Sequence, residues 1–340
     1  MKKARILVTR FSAMGDVALV ASVLSELQAQ HKNVELIMIT RPQFAAFFDD
    51  IPHLIVHPIF PDEQHKGPKG LWRLFNELKG YDIDYVADLH NNIRSRILTL
   101  FFKTAGYRLA ILDKARHQKK ALTRKRGKTL KQLRPTVERY ADVFRNLGFP
   151  LKLSHALKAQ NRPIPVKFEN DLQTSAVRIG IAPFAQHAYK VWPLANWQRV
   201  FQTFSASRYT FFIFGGGKQE YEIAKAWENE FSNVRNVIGS LPLREELDLI
   251  SHLHLMISMD SSGMHMASLV GIRTLSIWGA THPYAGFLGY GQSMADCIQV
   301  AHANRPSSIY GNKSCMCNGK EAIELVTAEM VIRKMQEAIA

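Results

Sequence analysis

Short apolar runs alternate with segments of helical apolar spacing along the whole chain, and this alternation limits the fold more than any other feature. The run 5–9 reads as a strand. The loop Arg10-Phe11-Ser12-Ala13-Met14-Gly15-Asp16 follows it, and Val17, Val20, Ala21, Leu24 and Leu27 then recur at helical spacing. A strand, a Gly-bearing loop and a helix open a βαβ unit. The same reading places strands at 34–40, 54–59, 84–89 and 107–112, with helices after Pro42 and at 71–78, 93–102 and 136–147. Asn161-Arg162-Pro163-Ile164-Pro165 reads as a linker, with two prolines in five residues. A second set follows, with strands at 177–182, 209–214, 236–238, 255–258 and 274–278. Helices at 197–204, 220–230, 243–253 and 327–339 complete it. Each set predicts a parallel sheet covered on both faces.

A chain of 340 residues exceeds one core of ordinary size, so two domains are expected. They are drawn at 1–162 and 163–326, with the closing helix 327–340 packing back on the first. The fold class is α/β, two Rossmann-like domains with parallel sheets facing a central cleft. No apolar run is long enough to cross a bilayer. Met1-Lys2-Lys3 is basic, but Arg10 interrupts the apolar stretch after it, so no signal peptide is expected. Only Cys297, Cys315 and Cys317 are present, which argues against a disulfide framework and for a reducing cytoplasm. Three thiols without a C-x-x-C pair are a weak zinc signal.

The net charge is +15, and ten Lys or Arg without an acid fall between Lys114 and Arg134. Nucleic acid, an anionic membrane surface or a phosphorylated substrate would each account for this, as would a solvated loop. The segment has no Phe, Trp or Tyr, so base stacking is unsupported.

Several places carry residues suited to chemistry. The apolar run 255–258 feeds into Asp260-Ser261-Ser262-Gly263, and a helical pattern begins at Met264. A helix N-terminus after a strand suits a phosphate, although Ser261 and Ser262 would serve equally as caps. Asp16 is read either as the cap of the first helix or as a general base. Lys190 sits in a loop before Pro193, where it can hold a diphosphate as a point charge or stand as an ordinary surface lysine. The triple glycine 215–217 fits neither G-x-G-x-x-G nor a P-loop, which disfavours dehydrogenases and P-loop ATPases. Asp82-Ile83-Asp84 resembles a metal-binding pair but precedes a strand.

Taken together, the motifs resemble those of the ADP-heptose:lipopolysaccharide heptosyltransferases, glycosyltransferase family 9. F-S-A-M-G-D-V at 11–17 is similar to the S-x-M-G-D signature that opens the family. D-L-H-N-N-I-R-S at 88–95, Y-K-V-W-P at 189–193, D-S-S-G-M-H at 260–265 and G-A-T-H-P at 279–283 follow in the family's order. The resemblance implies a GT-B fold, with the acceptor on the N-terminal half and the nucleotide sugar on the C-terminal half. It also implies an inverting reaction without metal or other cofactor. Asp16 matches the family's general base. Arg10, Ser12, Gly15, Asp88, Asn91 and Arg94 are expected on the acceptor. Gln186, Lys190, Gly216, Glu222, Leu243, Asp260, Ser261, Ser262, Gly263 and His265 are expected on the donor.

Three departures mark the chain. Ser262 stands where the family has glycine, His282 replaces the aspartate of G-P-T-D-P, and His90 and Asn91 replace Gln and Gly. These leave the sugar and the acceptor open. The expected donor is ADP-heptose or a related nucleotide sugar. The expected acceptor is a lipid-linked acidic or phosphorylated saccharide of the lipopolysaccharide core, reached in the cytoplasm at the inner membrane. Residues 114–134 would meet the anionic surface. One alternative is a family 9 transferase with another sugar or acceptor. Another is a basic nucleic-acid- or membrane-binding protein without catalysis.

Overall fold

The computed structural model describes residues 3–340, so Met1 and Lys2 of the basic start lie outside it. The chain forms two compact units. The first runs up to Ala115 and resumes over Arg134–Ser154; the second takes Arg116–Leu133 and His155–Ala340.

The first unit alternates β1 (Ala4–Thr9), α1 (Met14–Gln30), β2 (Val34–Thr40), β3 (Leu54–Pro58), α2 (Gly67–Lys79), β4 (Tyr85–Asp88), α3 (Ile93–Thr104) and β5 (Arg108–Ile111). A short 3-10 helix, Pro42–Phe48, lies between β2 and β3. The five strands are parallel in the order β3-β2-β1-β4-β5. Leu7, Ile37, Leu74, Val86 and Phe102 fill one side of this sheet. The other side is covered by α1, whose Val17, Val20, Leu24 and Leu27 are fully buried. Helix α4 (Arg116–Leu122) belongs to the second unit, and the chain returns to the first with α5 (Thr136–Asn146), which packs on α1.

The second unit continues with α6 (Glu169–Leu172), β6 (Val177–Ala182), α7 (Ala195–Thr203), β7 (Tyr209–Ile213), α8 (Lys218–Glu230), β8 (Val234–Asn236) and α9 (Leu243–Ser251). Next come β9 (Leu255–Met259), α10 (Ser262–Leu269), β10 (Thr274–Ile277) and β11 (Cys297–Ile298). A hairpin, β12 (Met316–Cys317) with β13 (Lys320–Glu321), precedes α11 (Ala328–Ile339). The sheet order is β11-β10-β9-β6-β7-β8, again all parallel.

Three expectations change. The closing helix belongs to the second unit: it packs on α7, and Val331 and Met335 are fully buried in that unit's core. The Pro-rich linker is also tied there. The Gln160 amide donates to Val270 O at 3.3 Å and its side chain to Leu269 O at 3.0 Å. The buried Arg162 pairs with Asp248 at 2.6 Å. Gly271, at φ +84, lets the segment just before the linker approach so closely that a Cβ would lie 2.3 Å from Lys158 O. Finally, the basic segment is not a free loop. Its α4 and following turns dock on the second unit, where Lys128 Nζ donates to Asn304 O at 2.6 Å and Pro306 O at 2.9 Å. The Leu133 amide meets Tyr284 O at 2.9 Å.

Met335→Ala should cost about 2–5 kcal/mol, the usual loss for a truncated buried methionine. Hydrogen exchange should then rise in α7 and β11 and stay unchanged in β1–β5; the reverse pattern would return the closing helix to the first unit.

Candidate active site

In each sheet the strand order reverses beside its first strand, between β1 and β4 in one and between β6 and β9 in the other. At such a switch point the loops leaving adjacent strands diverge and open a crevice at the carboxyl edge. Most of the motif residues lie on or next to those loops; residues 279–283 follow β10 instead.

In the first unit Ala13 caps α1 without a side-chain bond, so Asp16 is not the cap. Asp16 occupies the first turn, where a carboxylate is favoured by the unpaired N–H groups. Its carboxylate forms an ion pair with Arg10 Nη2 and remains 24% exposed. Tyr140 Oη, from α5, donates to Asp16 Oδ1 at 3.4 Å. Arg10 is buried; Nη1 donates to Leu89 O at 2.9 Å, and its guanidinium lies 5.9 Å from the Tyr140 ring. Burial works against its charge, but Asp16, Tyr140 and Asp88 raise its pKa above the ordinary arginine value. Ser12 and Gly15 flank this pair, both half-buried.

Asp88 needs correction as an acceptor ligand. It has no exposed surface, and its oxygens accept from Thr9 Oγ1 (3.0 Å), His90 N (2.9 Å), Asn91 N (2.8 Å), Ser95 Oγ (2.9 Å) and Thr99 Oγ1 (3.4 Å). It stitches β1 to the β4–α3 loop. Asn91 is half-buried and already engaged: Nδ2 donates to Leu112 O at 2.7 Å and Oδ1 accepts from the exposed Arg96 Nε at 2.7 Å. Arg94 turns to Asp62 at 3.2 Å. His90 joins the two loops, with its Nδ1 accepting from Phe11 N at 3.3 Å. Burial, then Arg10, Lys114 and Arg94, lower its pKa to about 3.

In the second unit Lys190 Nζ meets Asp260 Oδ2 at 3.0 Å, joining the loop after β6 to the loop after β9. The lysine stem lies against Gly311, where a Cβ would come within 2.3 Å of it. Pro193 precedes α7 by two residues and does not open it. Ser261 caps α10 by position, but its hydroxyl makes no cap bond and lies 3.3 Å from Ser258 Oγ. Ser262 is the first residue of α10. Gly263 has a packing reason of its own: a Cβ there would stand 2.4 Å from Ala182 Cβ. His265 is buried in the same helix.

Gln186 is exposed in the β6 loop. Gly216 and Glu222 are exposed after β7, and Leu243 begins α9. The acid that closes the triple-glycine loop is Glu220, whose Oε2 accepts from Gly216 N at 2.8 Å. His282 Nδ1 accepts from Tyr284 N at 3.1 Å and caps the turn at Pro283–Ala285. Its pKa is lowered to about 4, by burial first and then by Arg305 and Lys128. Buried Arg305 donates to Gly279 O (2.6 Å), Trp278 O (3.2 Å) and Thr281 O (3.0 Å), and so shapes this loop.

Sequence reading missed Tyr140 and Arg305. Both act across more than twenty residues, beyond any local spacing. The Asp82-x-Asp84 pair is structural: Asp84 accepts from Arg5 N at 2.9 Å, ahead of β4 and away from the carboxyl edge.

Two Rossmann-like units built on parallel sheets, each with charged loops at its switch point, define the GT-B class of fold. The family model for glycosyltransferase family 9 (heptosyltransferase) matches residues 71–308. The chain belongs to this family and is a glycosyltransferase. It is similar to lipooligosaccharide heptosyltransferase 2 of Campylobacter jejuni, 23% identical over 275 residues that cover 79% of each chain. Among solved structures it resembles a family 9 glycosyl transferase from Veillonella parvula, with TM-score 0.73 and 18% identity over 100% of this chain and 98% of that one. It also resembles E. coli heptosyltransferase WaaC with ADP, with TM-score 0.69 and 18% identity over 98% and 99%.

His90 and His282 are held neutral, with folded pKa values of about 3 and about 4 against an ordinary 6.5. The unfolded chain takes up these protons first, so the stability they support is complete above pH 6.5 and is lost as pH falls toward 3–4. Replacing both residues with Gln should flatten the acid limb of a stability profile measured by urea unfolding between pH 7 and pH 4.

Proposed function

We propose that the protein transfers a heptose from ADP-heptose to a lipopolysaccharide core acceptor with inversion at the anomeric carbon. The observation that carries this reading is the pair of switch-point constellations. One unit presents a partly exposed carboxylate, and the other a lysine beside a helix N-terminus. The names of the relatives support the substrates: one acts on lipooligosaccharide, and WaaC has been solved with ADP and with ADP-2-deoxy-2-fluoro heptose.

In this mechanism Asp16 accepts the proton of the acceptor hydroxyl as that oxygen bonds to the anomeric carbon. Arg10 and Tyr140 hold the carboxylate in place. The bond from the anomeric carbon to the β-phosphate oxygen breaks, and ADP leaves carrying the electron pair. Lys190 and the first N–H groups of α10 offset the charge gathering on the diphosphate. Asp260 keeps Lys190 positioned. Gln186, Gly216, Glu222, Leu243 and His265 complete the donor side. Ser12, Gly15 and Arg94 serve the acceptor side. The reaction runs without a metal or other cofactor.

Asp16→Asn should lower turnover of ADP-heptose by roughly 10²- to 10⁴-fold, the span of lost general-base catalysis. ADP should still raise its melting temperature. Lys190→Met should weaken that thermal shift. Full turnover in Asp16→Asn would sink the assignment of the base.

The basic segment adds a second element to the proposal. Arg116, Lys120, Arg124, Lys125, Arg126 and Lys131 are exposed, whereas Lys119 lies 4.3 Å above the Phe287 ring and Lys128 is tied to carbonyls. The exposed cations would hold the phosphorylated acceptor or its anionic leaflet at the cytoplasmic face of the inner membrane, each contributing about 1 kcal/mol near such a surface. Changing Lys120, Arg124, Lys125, Arg126 and Lys131 to Gln should raise the KM for the lipid-linked acceptor and leave the KM for the nucleotide sugar unchanged. An equal rise in both would remove this role.

A further inference from the structure

Helix α3 is apolar on two faces. Ser95, Leu98, Thr99 and Phe102 are buried against the sheet. Ile93, Ile97, Leu100 and Phe101 recur at steps of four, seven and eight residues, which places them together on another face. That face is open: Ile93 is 80% exposed and Leu100 is 54% exposed. Helix α2 packs alongside and adds Trp72, 51% exposed, whose ring meets the Phe101 ring edge-on at 5.1 Å. Surface helices ordinarily turn one apolar stripe inward and a polar face outward. Ile97 and Phe101 lean on the edge of the core, but Ile93 and Leu100, with Trp72 beside them, turn outward and remain exposed.

The rim of this face is cationic. Lys69, Arg73, Lys79, Arg94, Arg96 and Lys103 are all exposed on the two helices. Their only acid is Glu77, whose Oε2 lies 3.3 Å from His57 Nε2 and 3.2 Å from His65 Nε2. An apolar strip with an exposed tryptophan between basic residues fits the headgroup boundary of an anionic bilayer. Two copies meeting through this face would bring like charges together, so self-association is disfavoured.

We propose that the α2–α3 face of the first unit seats on an anionic lipid surface, with Trp72, Ile93 and Leu100 entering the headgroup–acyl boundary. The N-terminus of α3 leaves the same β4 loop that Asp88 organises. Seating α3 on lipid would therefore keep that loop at the membrane, where the head of a lipid-linked saccharide emerges. The purpose of the contact rests on the acceptor reading above; the binding itself does not.

The protein carries its own probe. Of five tryptophans, Trp192, Trp197, Trp227 and Trp278 are at most 5% exposed, so Trp72 alone can report the surface. The full chain would be titrated with vesicles of phosphatidylglycerol and phosphatidylethanolamine, and with phosphatidylcholine alone. The expected result is a blue shift quenched by lipids brominated high on the acyl chain, with the anionic vesicles only. The shift should be absent in Trp72→Phe. Changing Ile93 and Leu100 to Ser, or Lys69, Arg73, Arg96 and Lys103 to Gln, should weaken vesicle binding by about tenfold or more while leaving the thermal melt unchanged. Three results would overturn the proposal: no binding to anionic vesicles, binding that leaves Trp72 emission unmoved, or a shift that follows protein concentration without lipid. Transfer to a lipid-free saccharide, measured in parallel, keeps the outcomes separable. Its absence would count against the assigned reaction and leave the vesicle result standing.

Discussion

The reversal of strand order beside the first strand of each sheet is the constraint on which the rest depends. A parallel strand pair needs a long crossover, and every crossover leaves from a carboxyl edge. Where successive crossovers run in opposite directions, the two loops part and their backbone groups face outward. In the first sheet this happens between β1 and β4, so the Arg10–Asp16 loop and the His90–Asn92 loop are neighbours. In the second it happens between β6 and β9, which makes the Lys190 and Asp260 loops neighbours. Residues 79 and 70 positions apart in the chain are thereby paired, as the Asp88 hydrogen bond from Thr9 and the Lys190–Asp260 contact show.

Each constellation holds a carboxylate against a cation, and the two pairs differ in how deeply they sit. Asp16 keeps 24% of its side chain exposed against 9% for Arg10; Lys190 keeps 16% and Asp260 only 8%. In the first unit the acid is the accessible member, and in the second the base is. That asymmetry matches the chemistry proposed: an oxygen open to accept a proton in one half, and an ammonium open to meet phosphate in the other. Burial of the inner partner is costly unless it is paired. Arg10 and Asp260 are thus fixed counter-charges for the outer members, and under the proposed reaction they would orient those members before substrate arrives.

Local pattern was enough to read the strands, because in a doubly covered parallel sheet each is a continuous apolar run. The strands 34–40 and 177–182 form over those residues, and most others differ by one or two. Pattern failed where composition and contact disagree. The segment 116–122 is helical despite its charge, because Leu122 is fully buried and Lys119 lies over Phe287. Asp88 has the composition of a ligand, yet it is consumed by five internal donors that local spacing does not reveal. The same holds for α11: its apolar stripe shows that it packs, but only contacts with α7 show that it packs on the second unit.

The departure at His282 illustrates how such long-range terms combine. In the family an aspartate stands here, and an aspartate would cap the same turn while bringing a negative charge near Arg305 and Lys128. The imidazole keeps the cap through Nδ1 but is neutral. Both cations are held by carbonyl oxygens instead. Arg305 donates to the carbonyls of Trp278, Gly279 and Thr281, and Lys128 to those of Asn304 and Pro306. Those carbonyls belong to the loop after β10 and to the turn at 304–306. The lysine that reaches the turn comes from the basic segment. Residues 116–133 are thus tied to the turn at 304–306 through Lys128, while Arg305 from that same turn holds the 278–281 loop, and carbonyl dipoles hold both cations.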